Sequence, residues 1–173
     1  MIFLIKRNIK KIRAEIRALS LRENISRRNG ARILLYHSIG GVLDDHPLAI
    51  RVPVEEFEKE MEEIVNHDYK VILVREMIEN KFDIGNGKYI AITFDDGYKD
   101  NFIQAAPILQ KLSLKATFFI TTSYIEGKIK KKWRNGTQRE YMSWEEITAL
   151  SKMGFEIGSH MVHHADLIPL KDN

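Results

Sequence analysis

The chain contains no cysteine among its 173 residues. Disulfides are therefore excluded, and so are thiolate metal ligands, so a bound metal would have to rest on nitrogen and oxygen donors. There are only four prolines, and no repeat or low-complexity tract, which excludes a solenoid or a linker-rich chain. No apolar stretch approaches the roughly 20 residues that cross a bilayer. Residues 1–5 are apolar but too few for the core of an export signal, and Lys6 and Arg7 end the run. These absences favour a cytoplasmic or membrane-peripheral location. What is present is a chain of 44% hydrophobic composition, long enough to bury one globular core.

Acidic charge is scarce at one end. Residues 1–30 hold nine lysines and arginines against Glu15 and Glu23, a balance of +7. The whole chain carries +3, so residues 31–173 balance to −4. The basic character belongs to an extension rather than to the domain, and no nucleic-acid partner is expected. Ile5, Ile9, Ile12, Ile16 and Leu19 fall on one helical face, with lysines and arginines on the others. The expectation is a basic amphipathic helix within residues 1–30 that packs on protein. Peripheral contact of residues 1–20 with an anionic membrane is the alternative.

From Ala31 the pattern alternates strand and helix. Residues 32–36 read as a buried strand ending at His37, and residues 55–67 as a helix with Phe57, Met61, Ile64 and Val65 on its apolar face. A strand at 71–74 and a short helix at 76–80 follow, then a strand at 89–94. Residues 101–112 read as a helix that Pro107 kinks or splits. A strand at 116–120 precedes residues 126–140, a lysine-rich solvated loop that is also a candidate contact for an anionic glycan. Ser143 and Glu146 have capping-box spacing, opening a helix that ends near Gly154, and residues 155–157 form the last strand. Such alternation indicates a parallel α/β domain.

Chemistry gathers where strands end. Thr93-Phe94-Asp95-Asp96-Gly97-Tyr98 puts two adjacent carboxylates after an apolar run. Side chains alternate along a strand, so both reach one pocket only if Gly97 bends the chain there. One carboxylate would then hold a metal and the other act as a base; a plain Asp-Gly surface turn is the competing reading. In Gly158-Ser159-His160-Met161-Val162-His163-His164, His160 and His164 share a face if a helical turn starts there. His163 competes as second ligand. A carboxylate with two imidazoles leaves a metal position open, as hydrolytic sites do. The histidines argue against a Mg²⁺-dependent phosphoryl-transfer site, since Mg²⁺ prefers oxygen.

Taken in order, these segments resemble the polysaccharide deacetylase family, the one with the NodB-homology domain. Leu35-Tyr36-His37-Ser38, Ala116-Thr117-Phe118-Phe119-Ile120 and Ser143-Trp144-Glu145-Glu146-Ile147 add to the likeness, which runs from about Ala31 to Leu167. The resemblance implies a NodB-like distorted (β/α) barrel with fewer strands than the eight-fold form. It implies a hydrolase removing N-acetyl or O-acetyl groups from a carbohydrate. Asp96, His160 and His164 would bind a divalent metal, Zn²⁺ first, with Co²⁺, Ni²⁺ or Fe²⁺ as alternatives. Asp95 would be the catalytic base, and His37 and Tyr98 would contact substrate. The family pattern selects His164 over His163, and Met161 stands where the family usually has a hydroxyl.

The family continues with an arginine-proline motif that positions the first aspartate and a late leucine-x-histidine that supplies a general acid. Neither follows Leu170 here, where Lys171, Asp172 and Asn173 stand. Residues 31–173 are thus expected to be a domain incomplete at its C-terminus. It would be finished by further sequence or a partner chain, or be an inert remnant that only binds metal or glycan.

Overall fold

A computed structural model describes residues 30–40, 50–79, 88–133 and 135–165. Of the basic helical extension expected over residues 1–30, residues 1–29 lie outside them, as do Asn80, Arg134 and residues 166–173. Among the described residues no helix is long and apolar enough to cross a membrane.

The centre is a parallel sheet. Its strands are β1 (Gly30–Tyr36), β4 (Lys70–Val71), β5 (Lys88–Phe94), β6 (Thr117–Ile120) and β7 (Glu156–Ser159), in the order β1-β5-β6-β7. β1 lies along one edge of β5 from Gly30↔Lys88 to Tyr36↔Phe94. β4 takes the start of the other edge and β6 its end. A second, two-stranded sheet pairs β2 (Ser38–Ile39) with β3 (Arg51–Val52); the sequence pattern was too short to signal either. β5 is buried on both faces from Ile90 to Phe94, as expected for an inner strand of a parallel sheet.

The helices are α1 (Val54–Asn66), α2 (Val74–Glu79), α3 (Ala106–Lys111), α4 (Thr122–Ile125) and α5 (Trp144–Lys152). α1 buries Phe57, Met61 and Ile64, spaced by four and three residues as one helical stripe requires. Val65, expected on that face, is instead 44% exposed. Glu55 and Glu56 sit in its first turn, where the helix dipole favours negative charge. Tyr36 donates to Glu60 Oε2 at 2.7 Å, fastening α1 to β1. Ser143 accepts from Glu146 N while Glu146 Oε2 accepts from Ser143 N, the expected capping box. The helix expected over 101–112 is divided. Residues 101–105 form a π-helical turn, closed by Ala106 N–H on Asn101 O, and α3 follows with Pro107 in its first turn. Proline has no N–H to donate, so a change of hydrogen-bond spacing just before it leaves fewer groups unpaired.

The core fills one face of the sheet. Tyr36, Phe94 and Phe118 are register partners on three adjacent strands. Their rings stack, with centroids 5.5 Å apart for Tyr36–Phe94 and 4.7 Å for Phe94–Phe118. Phe57 of α1 meets Tyr36 and Phe94 edge-on at 5.2 and 5.8 Å. Such pairs add roughly 0.5–1.5 kcal/mol beyond area burial. This ladder crosses the sheet at the last residue of β5, so the next residues leave from a rigid base.

The other face is less covered. β1 was expected to be buried, but Ile33 is 58% and Leu35 56% exposed. The alternation follows from strand geometry: Leu34 and Tyr36 point to the helices, Ile33 and Leu35 to the opposite side. Among the described residues β1 and β7 each pair with one neighbour, so the sheet has two edges. Closure into a barrel is not part of what these residues show.

Candidate metal centre

Asp95 still belongs to the ladder, donating its N–H to Tyr36 O at 3.0 Å. At Asp96 the backbone turns left-handed, with φ 73°, and Gly97 continues at φ 81°. A left-handed conformation is costly for a residue with a Cβ, and such strain concentrates at functional sites. Gly97 also lies against Ile125 and Ile120, whose Cδ1 atoms would be 3.1 and 3.3 Å from an added Cβ. The double left-handed step breaks the alternation that would have sent the two carboxylates apart. Both now reach His160: Nε2 is 3.9 Å from Asp95 Oδ2 and 3.7 Å from Asp96 Oδ1. The turn is there, but it is not a hairpin turn.

His160 leaves β7 with its N–H on Ile120 O at 2.8 Å. The expected helical turn after it does not form. Met161 and His164 are left-handed, with φ 65° and 50°, and the loop is laced to the start of α4. Thr121 Oγ1 donates to His160 O, Thr122 N to Met161 O, and Ser123 N to Val162 O. Met161 therefore serves the loop through its carbonyl, without the family's hydroxyl. His164 Nε2 comes within 3.4 Å of Asp96 Oδ1. His163 turns elsewhere, with Nδ1 3.2 Å from Ser123 Oγ.

The result is a cluster of Asp96, His160 and His164 whose ligand atoms all lie within 4.8 Å of one another. Asp96 is 5% exposed, and its Oδ1 is buried without a hydrogen bond although two imidazole nitrogens flank it. A buried carboxylate oxygen left so is expensive unless a cation completes it. The donor set, two nitrogens and one oxygen, suits zinc or a similar transition metal. Burial, with the charge of Asp96, pushes Asp95 above the usual carboxylate range; His160, His37 and His164 oppose the shift. His37, in the turn between β1 and β2, is thus close enough to Asp95 to act on it.

Tyr98 is the residue expected to contact substrate beside His37. It is 1% exposed and stacks between Trp133 and Tyr141, at 5.5 and 5.2 Å. Its hydroxyl accepts from Arg139 Nη1 at 2.8 Å. Trp133, Tyr98 and Tyr141 thus form an aromatic wall. That wall runs on through Tyr141 to Tyr124, 4.6 Å apart, and from Tyr124 to the His164 ring at 6.3 Å. Sequence reasoning missed Trp133, Arg139, Tyr124 and Tyr141. The one available signal was a tryptophan inside a lysine-rich segment, since a solvated loop has no use for it.

Fold and site together define a parallel α/β protein with an Asp-His-His cluster at the carboxyl ends of its strands. Residues 74–173 match the family described as Polysaccharide deacetylase, and the chain belongs to that family. YxkH of Bacillus subtilis (strain 168), a protein carrying a polysaccharide deacetylase name, is 31% identical over 137 residues. Those residues are 78% of this chain and 43% of YxkH. A polysaccharide deacetylase from Bacillus cereus, BC0361, superposes with a TM-score of 0.65 at 26% identity, covering 83% of this chain and 42% of that one. The Streptococcus pyogenes deacetylase PplD, solved with acetate, gives a TM-score of 0.64 at 22% identity and shares the fold. The match spans 82% of this chain and 61% of PplD. The chain therefore spans about half the length of these relatives.

Proposed function

We propose that this chain bears the metal- and base-holding part of a hydrolase that removes acetyl groups from an N-acetylated carbohydrate, with O-acetyl esters as the alternative substrate. The observation that carries the reading is the buried, unbonded Asp96 Oδ1 between two imidazoles, in a chain of the deacetylase family. Asp96, His160 and His164 would hold a divalent cation, Zn²⁺ by donor type. When bound, such an ion polarises a carbonyl and acidifies water.

The remaining roles follow from the chain's own groups. Asp95 faces the same pocket without joining the tight cluster. Its raised proton affinity suits a base that must take a proton from water attacking the acetamide carbon. The bond that then breaks is the carbon–nitrogen bond, as the proton taken from water is returned to the departing nitrogen, freeing acetate and an amine. His37 is assigned to the substrate side of Asp95, and Tyr98 to stiffening the wall.

Zinc titration and acetate release on N-acetylglucosamine oligomers test this. Asp95→Asn should keep zinc affinity and cut turnover by about 10²–10⁴-fold, the usual worth of general-base assistance. His160→Ala and His164→Ala should lose zinc itself. Equal zinc loss in all three variants would sink the division of labour. Zinc binding with no acetate release from the unaltered chain would instead make it a metal- or glycan-binding unit.

A further inference from the structure

We propose that the cleft flanking the Asp-His-His cluster binds an oxyanion carried by a sugar neighbouring the acetylated one, so that the preferred substrate is an anionic acetylated glycan. The inference rests on the deacetylase reading and names its substrate class. The cleft has a volume of about 580 Å³. Lys99, Lys130 and Arg139 line it together with Tyr124 and Tyr141, and Glu140 is the one carboxylate on its wall. Lys99 is partly engaged by Glu146 at 3.6 Å. Arg139 has no carboxylate within ion-pair distance among the described residues.

Arg139 is nevertheless held in place. Nη1 donates to Tyr98 Oη at 2.8 Å, Nε to Lys132 O at 3.3 Å, and the guanidinium lies 4.5 Å from the Trp133 ring centre. A guanidinium positioned by neutral partners and facing a cleft keeps its charge available, and its fork matches carboxylate or phosphate oxygens. The aromatic wall of Tyr141 and Tyr124 leads from it to His164. An extended sugar chain lying along the wall would put an acetamide at Asp96 and a neighbour's oxyanion at Arg139.

Calorimetry on the zinc-loaded 173-residue chain tests it with three oligomers of equal length. One is neutral β-linked N-acetylglucosamine, one alternates N-acetylglucosamine with glucuronate, and one joins N-acetylglucosamine through phosphodiesters. At least one anionic oligomer should bind about tenfold more tightly than the neutral one, and the preferred one tells carboxylate from phosphate. The preference should shrink as salt rises. Arg139→Gln should remove most of it. Lys130→Gln, an exposed change that leaves packing intact, should lower it roughly twofold to fivefold. Equal binding of all three oligomers, or a preference that Lys130→Gln leaves unchanged, overturns the proposal. Zinc binding measured alongside separates the failures: with zinc retained only this inference falls, whereas loss of zinc and of all oligomer binding defeats the deacetylase reading as well.

Discussion

The body of the sheet and the rim at its carboxyl end are built by opposite rules. In the body, Tyr36, Phe94 and Phe118 are buried, regular and stacked in register. One residue beyond Phe94 the rules invert: Asp96 is left-handed and buried with an unbonded oxygen, and Met161 and His164 are left-handed too. Stability therefore resides in the body, and the rim spends part of it to aim charged groups at one point. The ladder ends where the site begins because a strained loop needs a stiff base.

Breaking the body should cost most. Phe94→Ala removes the central ring of the ladder at 0% exposure, and such deletions cost about 3–5 kcal/mol. The urea midpoint should fall accordingly. A loss under about 1 kcal/mol would mean that the ladder does not hold the fold.

The rim offers the reverse experiment. Asp100 accepts from Ser38 Oγ at 2.5 Å and from Ile39 N at 3.1 Å, tying the π turn to β2. Burial still pushes its carboxyl up to about 6, against the help of these bonds and of Arg51. The unfolded value is about 3.9, so the folded state binds the proton more tightly. The contribution is fully present below about pH 4 and is lost as pH rises towards 6, by at most about 3 kcal/mol. Asp100→Asn keeps an acceptor for Ile39 and offers a donor to Ser38, without a charge to desolvate. The stability of this variant minus that of the unaltered chain should rise between pH 4 and 6.5 and then level off. Urea midpoints across that range showing no slope, or the opposite slope, would contradict a desolvated carboxylate there.

A smaller effect is expected at Gly97. Alanine there must adopt φ near 81° and press on Ile120 and Ile125. Roughly 1–2 kcal/mol of backbone cost follows, but zinc affinity should drop as well, because Asp96 leaves from this bend. A stable Gly97→Ala protein with unchanged zinc affinity would show that the bend does not aim the ligand.

Most of the body was legible in the sequence because buried strands and capped helices write themselves in short-range pattern. The runs before Asp95 and His160 and the Ser143–Glu146 box appear where that pattern puts them. Asp96, His160 and His164 were legible as residue types, and the structure brings them together. How they meet was not: the left-handed steps at Asp96, Met161 and His164 fall on non-glycine residues, so no glycine marks them in the sequence. The aromatic wall joins Tyr98, Tyr124, Trp133 and Tyr141 across loops, contacts with no periodicity to read. The exposure of Ile33 and Leu35 was hidden for a different reason. An apolar strand looks the same whether one face or both are covered.

That last point sets the mildest test, on the body's other face. Leu35 is 56% exposed while its neighbours Leu34 and Tyr36 pack into the core. A leucine left more than half in water has already lost much of the benefit of burial, about 25 cal/mol per Å² of apolar area removed from water. Leu35→Ala should therefore lower stability by less than about 1 kcal/mol, against about 2–5 kcal/mol for a buried leucine. The contrast with Phe94→Ala, set on the adjacent strand but facing the helices, measures how one-sided the core is. A cost in the buried range would mean that Leu35 is covered in solution, by residues outside the described set or by another chain. Repeating the denaturation at two protein concentrations separates these, because only cover by another chain makes the midpoint depend on concentration.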